Sequence, residues 1–275
     1  MKRKFRLIAL DLDGTIYNDE KKITDATINA LSEASERGVK ICAATGRLFR
    51  DIPKEVKALP GFSYGIACNG SAVFDREGKE ICSDLISFDE YGSLLKSLLE
   101  EDMIVDAFSL DHIYRDMRDR EKVAQLDILD SMKQFMLRSR EDKEDLYAFL
   151  SRERFSLCKI TANFPGGDPQ REILAEIMKN YPDFVYVSGG YGNREISKKS
   201  ATKGTALLRL AESLGIPVEE TMAMGDSEND LDMIKKAGFG VAMGNADPEV
   251  RAASDYVTKT NEEDGVAFAL WELVL

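Results

Sequence analysis

A chain of 275 residues with 44% hydrophobic content can bury one large or two modest cores, which excludes a disordered polypeptide. Its formal net charge of −12, from 49 acidic and 37 basic residues, argues against attraction to nucleic acid or an anionic membrane surface, and its four cysteines (Cys42, Cys68, Cys82, Cys158) lack the CxxC spacing of a zinc knuckle and read as reduced core residues. The basic start MKRK leads into an apolar run that Asp11 breaks too early for a signal peptide, and no stretch approaches a membrane span, so a cytoplasmic enzyme is expected. In chain order, FRLIAL reads as a buried strand and TDATINALSEASERG as a helix capped by Thr24, stopped at Gly38, with Ile28 and Leu31 on one face. VKICAATG is a second strand, a helix runs on through Val56, and YGIACNG is a third strand. Near-continuous apolar strands separated by helices predict a parallel sheet covered on both sides. SAVFDREGKEICSD predicts a hairpin turning at Glu77 and Gly78.

From about Ser83 to Gly190 the texture changes to longer, charge-rich helices such as RSREDKEDLYAFLSRERF, mixed with strands such as MIVDAFSL and LCKITANF. The charge runs read as solvated helix faces, and the only histidine, His112, falls in a strand-like stretch. The strand–helix alternation returns with TKGTALLRLAESLG, ETMAMGD, NDLDMIKKAG, FGVAMG and DYVTKT. The expectation is an α/β protein with a doubly wound parallel-sheet core, residues 1–82 and 191–275, interrupted by an inserted unit, residues 83–190.

Four places carry chemistry. In LIALDLDGT, Asp11 and Asp13 stand two apart where a strand stops; if the extended geometry persists they point the same way and share a site, so a proton or a cation must sit between them. An Asp-rich turn that merely ends a strand has the same letters. In AATGR, Thr45 offers a hydroxyl and Gly46 a backbone N–H to an oxyanion, although a strand-to-helix turn capped by Thr45 also fits. In TKGTAL, Lys203 opens a helix, where the dipole disfavours a cation by about 0.3–1 kcal/mol at exposed sites, so either a function compensates or the lysine is a surface residue. In MAMGDSEND, Asp226, Asn229 and Asp230 surround a helix start after an apolar strand; hard oxygen donors on a loop suit Mg²⁺, and a capping cluster is the plainer alternative.

Taken together, DLDGT, ATGR, TKGTAL and GDSEND, followed by GFGVAMGNADPEVRAASDYVTKTNEEDGVA, resemble the haloacid dehalogenase superfamily of phosphohydrolases, in its Cof-like branch. The resemblance implies a Rossmann-like core whose motifs meet around one phosphate, and it identifies the insert as an α/β cap of the subclass IIB type. It implies Asp11 as nucleophile forming an aspartyl phosphate and Asp13 as the acid/base. Asp11, the Asp13 carbonyl and Asp226 would hold Mg²⁺, with Asp230 orienting waters or neighbouring groups. Thr45, Gly46, Lys203, Asn229 and the Leu12 N–H would hold phosphate oxygens. The implied substrate is a small phosphorylated metabolite, a sugar phosphate first of all. A phosphomutase on the same core and a non-catalytic phosphometabolite sensor are the alternatives.

Overall fold

Apolar runs too short for helices form most of the strands. Before the change in texture these are β1 (Leu7–Leu10), β2 (Lys40–Ala44), β3 (Phe62–Ala67), β4 (Ala72–Asp75) and β5 (Glu80–Ser83). The middle of the chain supplies β6 (Ile104–Phe108), β7 (Ile113–Asp116), β8 (Glu141–Lys143), β9 (Lys159–Asn163), β10 (Phe184–Ser188) and β11 (Arg194–Lys198), and the last part β12 (Thr221–Gly225), β13 (Phe239–Ala242) and β14 (Tyr256–Val257). The computed structural model describes residues 4–189 and 192–275. It comprises two units, one from residues up to Ser83 together with Ser200–Leu275, the other from Asp84–Lys199.

In the first unit the strand order is β14-β13-β12-β1-β2-β3-β4-β5, parallel from β14 to β3 and antiparallel through the β4–β5 hairpin. Alternation along β1 builds both faces: Ile8 and Leu10 enter one core cluster, Leu7 and Ala9 the other. The helix Asp25–Glu36, whose Thr24 cap accepts from the Thr27 N–H at 3.2 Å, covers the first face with Ala30, Leu31 and Ala34. The helix Lys203–Ser213 covers the second with Ala206, Leu207, Leu210 and Ala211. This is the doubly wound arrangement that the alternation predicts. Because β2 and β3 lie on one side of β1 and β12 to β14 on the other, the order reverses between β1 and β12, and the crevice beyond their carboxyl ends is where such sheets bind ligands.

Three expectations need correction. The helix expected through Val56 is only four residues long, Lys54–Lys57, and follows a separate 3₁₀ turn, Phe49–Asp51, because Pro53 between them has no N–H to continue a helix. The charge-rich stretch after Arg138 is not one helix, since Glu141–Lys143 pairs in parallel with β7 and Asp142 meets the buried Arg115 at 2.6 Å. The expected boundary between residues 190 and 191 lies outside the described residues, but β11 beyond it pairs with β10 and β9, so residues up to Lys199 belong to the second unit. That unit holds a sheet of order β10-β11-β9-β6-β7-β8, with the helices Phe88–Leu99, Leu146–Glu153 and Asp168–Met178 contributing to the core cluster on one face. Cys42, Cys68 and Cys158 are buried and Cys82 is partly exposed, and none of the four is in a disulfide among the described residues. Among the described residues no helix is long and apolar enough to cross a membrane.

Candidate active site

Three adjacent parallel strands end in the residues singled out above. Asp11 is the first residue past β1, Thr45 the first past β2 and Asp226 the first past β12. The Asp11 N–H still donates to the Met224 carbonyl at 3.0 Å, which holds this carboxylate beside β12. Asp11, Asp226 and Asp230 form a cluster whose oxygens lie within 4.8 Å of one another. Gly14 lets the loop after β1 close on this cluster: its φ is +84°, and a Cβ there would stand 2.5 Å from Asp226 Oδ2. Thr15 Oγ1 also donates to Asp226 Oδ1 at 3.1 Å.

Lys203 is not the surface lysine that its place at a helix start allows. It is 0% exposed, and its Nζ donates to Asp11 Oδ1 at 2.6 Å and to Asp230 Oδ1 at 2.7 Å. Burial alone would lower its pKa, but the two carboxylates raise it, so it stays charged. Burial pushes the Asp11 carboxyl up to about 8, with Asp230 adding to the rise and Lys203 opposing it. Burial and then Asp230 likewise push Asp226 up to about 6. Asp230 is fully buried, and its Oδ2 accepts from the N–H groups of Asp226 at 3.1 Å and Ser227 at 3.2 Å. Its oxygens therefore organise the loop and the lysine. Three carboxylates, two of them favouring protons in the absence of a cation, are a donor set that fits a hard divalent ion.

Asp13 does not join this cluster. The chain turns from Leu12 onward, so the extended geometry that would have aligned the two aspartates is lost. Asp13 Oδ2 accepts from Arg47 Nη2 at 2.9 Å and Oδ1 from Lys21 Nζ at 3.0 Å. Burial pulls its pKa upward, but Lys21 and Arg47 outweigh it and hold the carboxyl below its usual range. Leu12 buries its side chain in the core, so any role at the site is confined to its backbone. Thr45 is buried, and its Oγ1 accepts from the Arg47 N–H at 3.2 Å in a tight turn rather than capping a long helix. Asn229 accepts from Ser227 Oγ at 2.8 Å and donates through Nδ2 to Asn69 Oδ1 at 3.3 Å.

Lys21, Arg47 and Asn69 were not among the expected site residues. Arg47 stands inside AATGR, and Asn69 opens an Asn-Gly pair in the loop leaving the carboxyl end of β3, the second residue past that strand where Asp11 and Thr45 are the first past theirs. Its place in a loop at the carboxyl end of a core strand is the signal that could have found Asn69. Lys21 carries no such mark, lying in a charged turn that reads as solvated surface. Its φ of 58° and that of Cys68, 50°, are left-handed conformations rare for such residues, which cost of order 1–3 kcal/mol each and cluster at functional sites.

The model of the haloacid dehalogenase-like hydrolase family matches residues 8–270. Among curated proteins, the chain is 33% identical to phosphatase YwpJ of Bacillus subtilis, over 98% of this chain and 100% of that one. It is 31% identical to the 5-amino-6-(5-phospho-D-ribitylamino)uracil phosphatase YcsE of the same organism, over 98% and 96%. Among solved structures, a haloacid dehalogenase-like hydrolase from B. subtilis superposes with a TM-score of 0.82 at 31% identity, over 98% and 100% of the two chains.

Proposed function

Since the chain belongs to the haloacid dehalogenase-like hydrolases and is a phosphoric monoester hydrolase, we propose that it cleaves phosphate monoesters of small metabolites, sugar phosphates above all, through an aspartyl phosphate on Asp11. The observation that carries this reading is the buried Lys203 joining Asp11 to Asp230 at the point where the strand order reverses. A phosphorylated ribityl group in the name of one relative's substrate supports a sugar-like leaving group. A screen of phosphorylated metabolites by kcat/KM tests it. Stoichiometric release of inorganic phosphate without a bisphosphate activator is the expected result, and return of the phosphoryl group to the sugar would mark a mutase instead.

In the first half-reaction an Asp11 oxygen attacks phosphorus, the bond to the leaving oxygen breaks, and Asp13 gives that oxygen its proton. In the second, Asp13 takes a proton from water as the water oxygen attacks phosphorus, and Asp11 is released with inorganic phosphate. The Lys21 and Arg47 contacts favour ionised Asp13, the form that the second step needs, and they oppose the protonated form with which the first step must begin. Thr45, Gly46, Lys203, Asn229 and the Leu12 N–H hold the phosphate oxygens, so catalysis is chiefly positioning and charge stabilisation. Asp11, Asp226 and the Asp13 carbonyl would hold Mg²⁺, which when bound supplies the positive charge that lets an anionic nucleophile meet an anionic phosphate. We assign the Asp84–Lys199 unit as the cap that selects the leaving group; it contains a cavity of about 550 Å³ lined in part by Asn163, Arg171 and Asn193.

Two predictions arise here. Chelation by EDTA stops turnover and Mg²⁺ restores it, and because Asp226 and Asp11 favour protons up to about 6 and about 8, the apparent Mg²⁺ affinity rises with pH across that interval as protons leave. Titration calorimetry at pH 6, 7 and 8 reads this directly; a flat affinity would show that the two carboxylates do not exchange protons for metal. The second concerns Asp13→Asn, which removes the shared acid/base and lowers turnover by about 10²–10⁴. An aryl phosphate, whose leaving group needs little protonation, still phosphorylates Asp11 and gives a burst followed by slow turnover. Rapid quench resolves the steps, and equal slowing of phosphoryl transfer for aryl and sugar phosphates would remove Asp13 from this role.

A further inference from the structure

The loop after β3 holds an uncommon backbone conformation against the neighbouring segments of its own unit. Cys68, Asn69 and Gly70 take φ values of 50°, 56° and 108°, three left-handed residues in succession, two of which carry side chains. Each is placed against a different part of the site. The N–H groups of Cys68 and Asn69 donate to the carbonyls of Arg47 at 2.9 Å and Thr45 at 3.0 Å, so the loop grips the backbone on both sides of Gly46. Asn69 also packs closely on Gly46, where a Cβ would stand 3.0 Å from Asn69 Oδ1. Gly70 lies so close to the Thr202 carbonyl and the Lys203 N–H that any Cβ is blocked. The left-handed turn thus brings one carboxamide, that of Asn69, between the segments carrying Thr45 and Asn229.

The consequence lies in the orientation of Asn229. A carboxamide can present either an N–H donor or a carbonyl acceptor to an anion, and only the first is useful. Ser227 Oγ donates to Asn229 Oδ1 at 2.8 Å, and Asn69 Oδ1 accepts from Asn229 Nδ2 at 3.3 Å. Both ends of the amide are therefore assigned, and Nδ2 keeps a second hydrogen. We propose that Asn69 is a positioning residue of the phosphate site, whose carboxamide oxygen fixes Asn229 with its remaining N–H available to a substrate phosphate oxygen. This rests on the reading of Asn229 as a phosphate ligand.

The test is a double-mutant cycle on the full chain, read by the inhibition constant of inorganic phosphate, by KM and kcat with an aryl phosphate, and by Mg²⁺ affinity. Asn69→Gly removes the side chain while keeping a residue that tolerates the left-handed backbone. Asn69→Ser serves the same purpose if the glycine variant does not fold. Asn229→Ala alone should weaken phosphate inhibition. Asn69→Gly should weaken it about three- to tenfold, the size of one modest hydrogen bond, with Mg²⁺ affinity unchanged. In the Asn229→Ala background Asn69→Gly should add nothing, because it acts through Asn229. Loss of Mg²⁺ affinity together with phosphate affinity would mark general damage to the site and overturn the proposal, as would full multiplication of the two effects or wild-type phosphate affinity in Asn69→Gly. Wild-type phosphate affinity in Asn229→Ala would instead remove Asn229 from the phosphate site, and the role of Asn69 with it.

Discussion

Asp11→Ala should leave a folded protein whose turnover is reduced by at least about 10⁴, equivalent to roughly 5.4 kcal/mol of barrier at 1.36 kcal/mol per tenfold. The size of the effect follows from the chemistry: Asp11 is the group proposed to bond to phosphorus, and neither Asp226 nor Asp230 can replace it. Asp230 is committed to Lys203 and to two backbone N–H groups, and Asp226 accepts from Thr15. The same substitution removes one of the buried carboxylates that oppose each other, so stability in the absence of metal should not fall in step with activity. Purified Asp11→Ala protein is to be assayed with an aryl phosphate beside its thermal unfolding curve. Activity within tenfold of wild type in a cooperatively folded sample would end the aspartyl-phosphate mechanism.

Lys203→Met should cost both turnover and stability. Lys203 is fully buried, and its removal leaves Asp11 and Asp230 facing one another without a cation. Breaking a buried pair by deleting one partner typically costs about 3–5 kcal/mol. The penalty should depend on pH in a definite direction. The Asp11 carboxyl is already raised from 3.8 to about 8, and losing Lys203 can only raise it further. Between the unfolded value and the folded one the native state binds more protons than the unfolded state, so stability falls as pH rises through that window. Urea unfolding in EDTA should therefore show a larger deficit for Lys203→Met at pH 8 than at pH 6. Added Mg²⁺ should recover more stability in the variant than in the wild type, since it supplies the missing positive charge. A variant as stable as wild type at pH 8 without metal would mean that Lys203 does not neutralise the pair.

The frame of the core was legible because its strands are short apolar runs that stop at Asp11, Thr45 and Asp226, and a buried strand has few other ways to look. Asn69 lies one residue beyond that position after β3, in an Asn-Gly pair that passes for an ordinary turn. Less could be read where tertiary contacts override local pattern. β8 hides in a charged stretch because Asp142 meets Arg115 across the sheet, a contact between residues 27 apart. The burial of Lys203 depends on partners 192 and 27 positions away, and no local periodicity encodes them. Asp13 was placed beside Asp11 by strand geometry, whereas the turn beginning at Leu12 sends it to Lys21 and Arg47.

The position of β1 has a consequence for how the chain is made. On one side β1 pairs with β2, which follows it closely, and on the other with β12, in the register Leu7↔Thr221. During synthesis at about 5–20 residues per second, on the order of 10–40 s separate the emergence of these two partners. For that interval β1 presents an unpaired apolar edge, and both faces of the nascent sheet lack the helix Lys203–Ser213 or the C-terminal helix Gly265–Leu273 that will cover them. An exposed edge of this kind recruits other strands, so the nascent amino-terminal segment is the part of this protein most open to aggregation and most suited to chaperone capture. The middle unit, whose sheet draws all of its strands from Asp84–Lys199, can close before the ribosome has finished the carboxyl-terminal strands. The unit that folds last is then the one interrupted in sequence, and the charged centre at Asp11 is completed only after nearly the whole chain has left the ribosome.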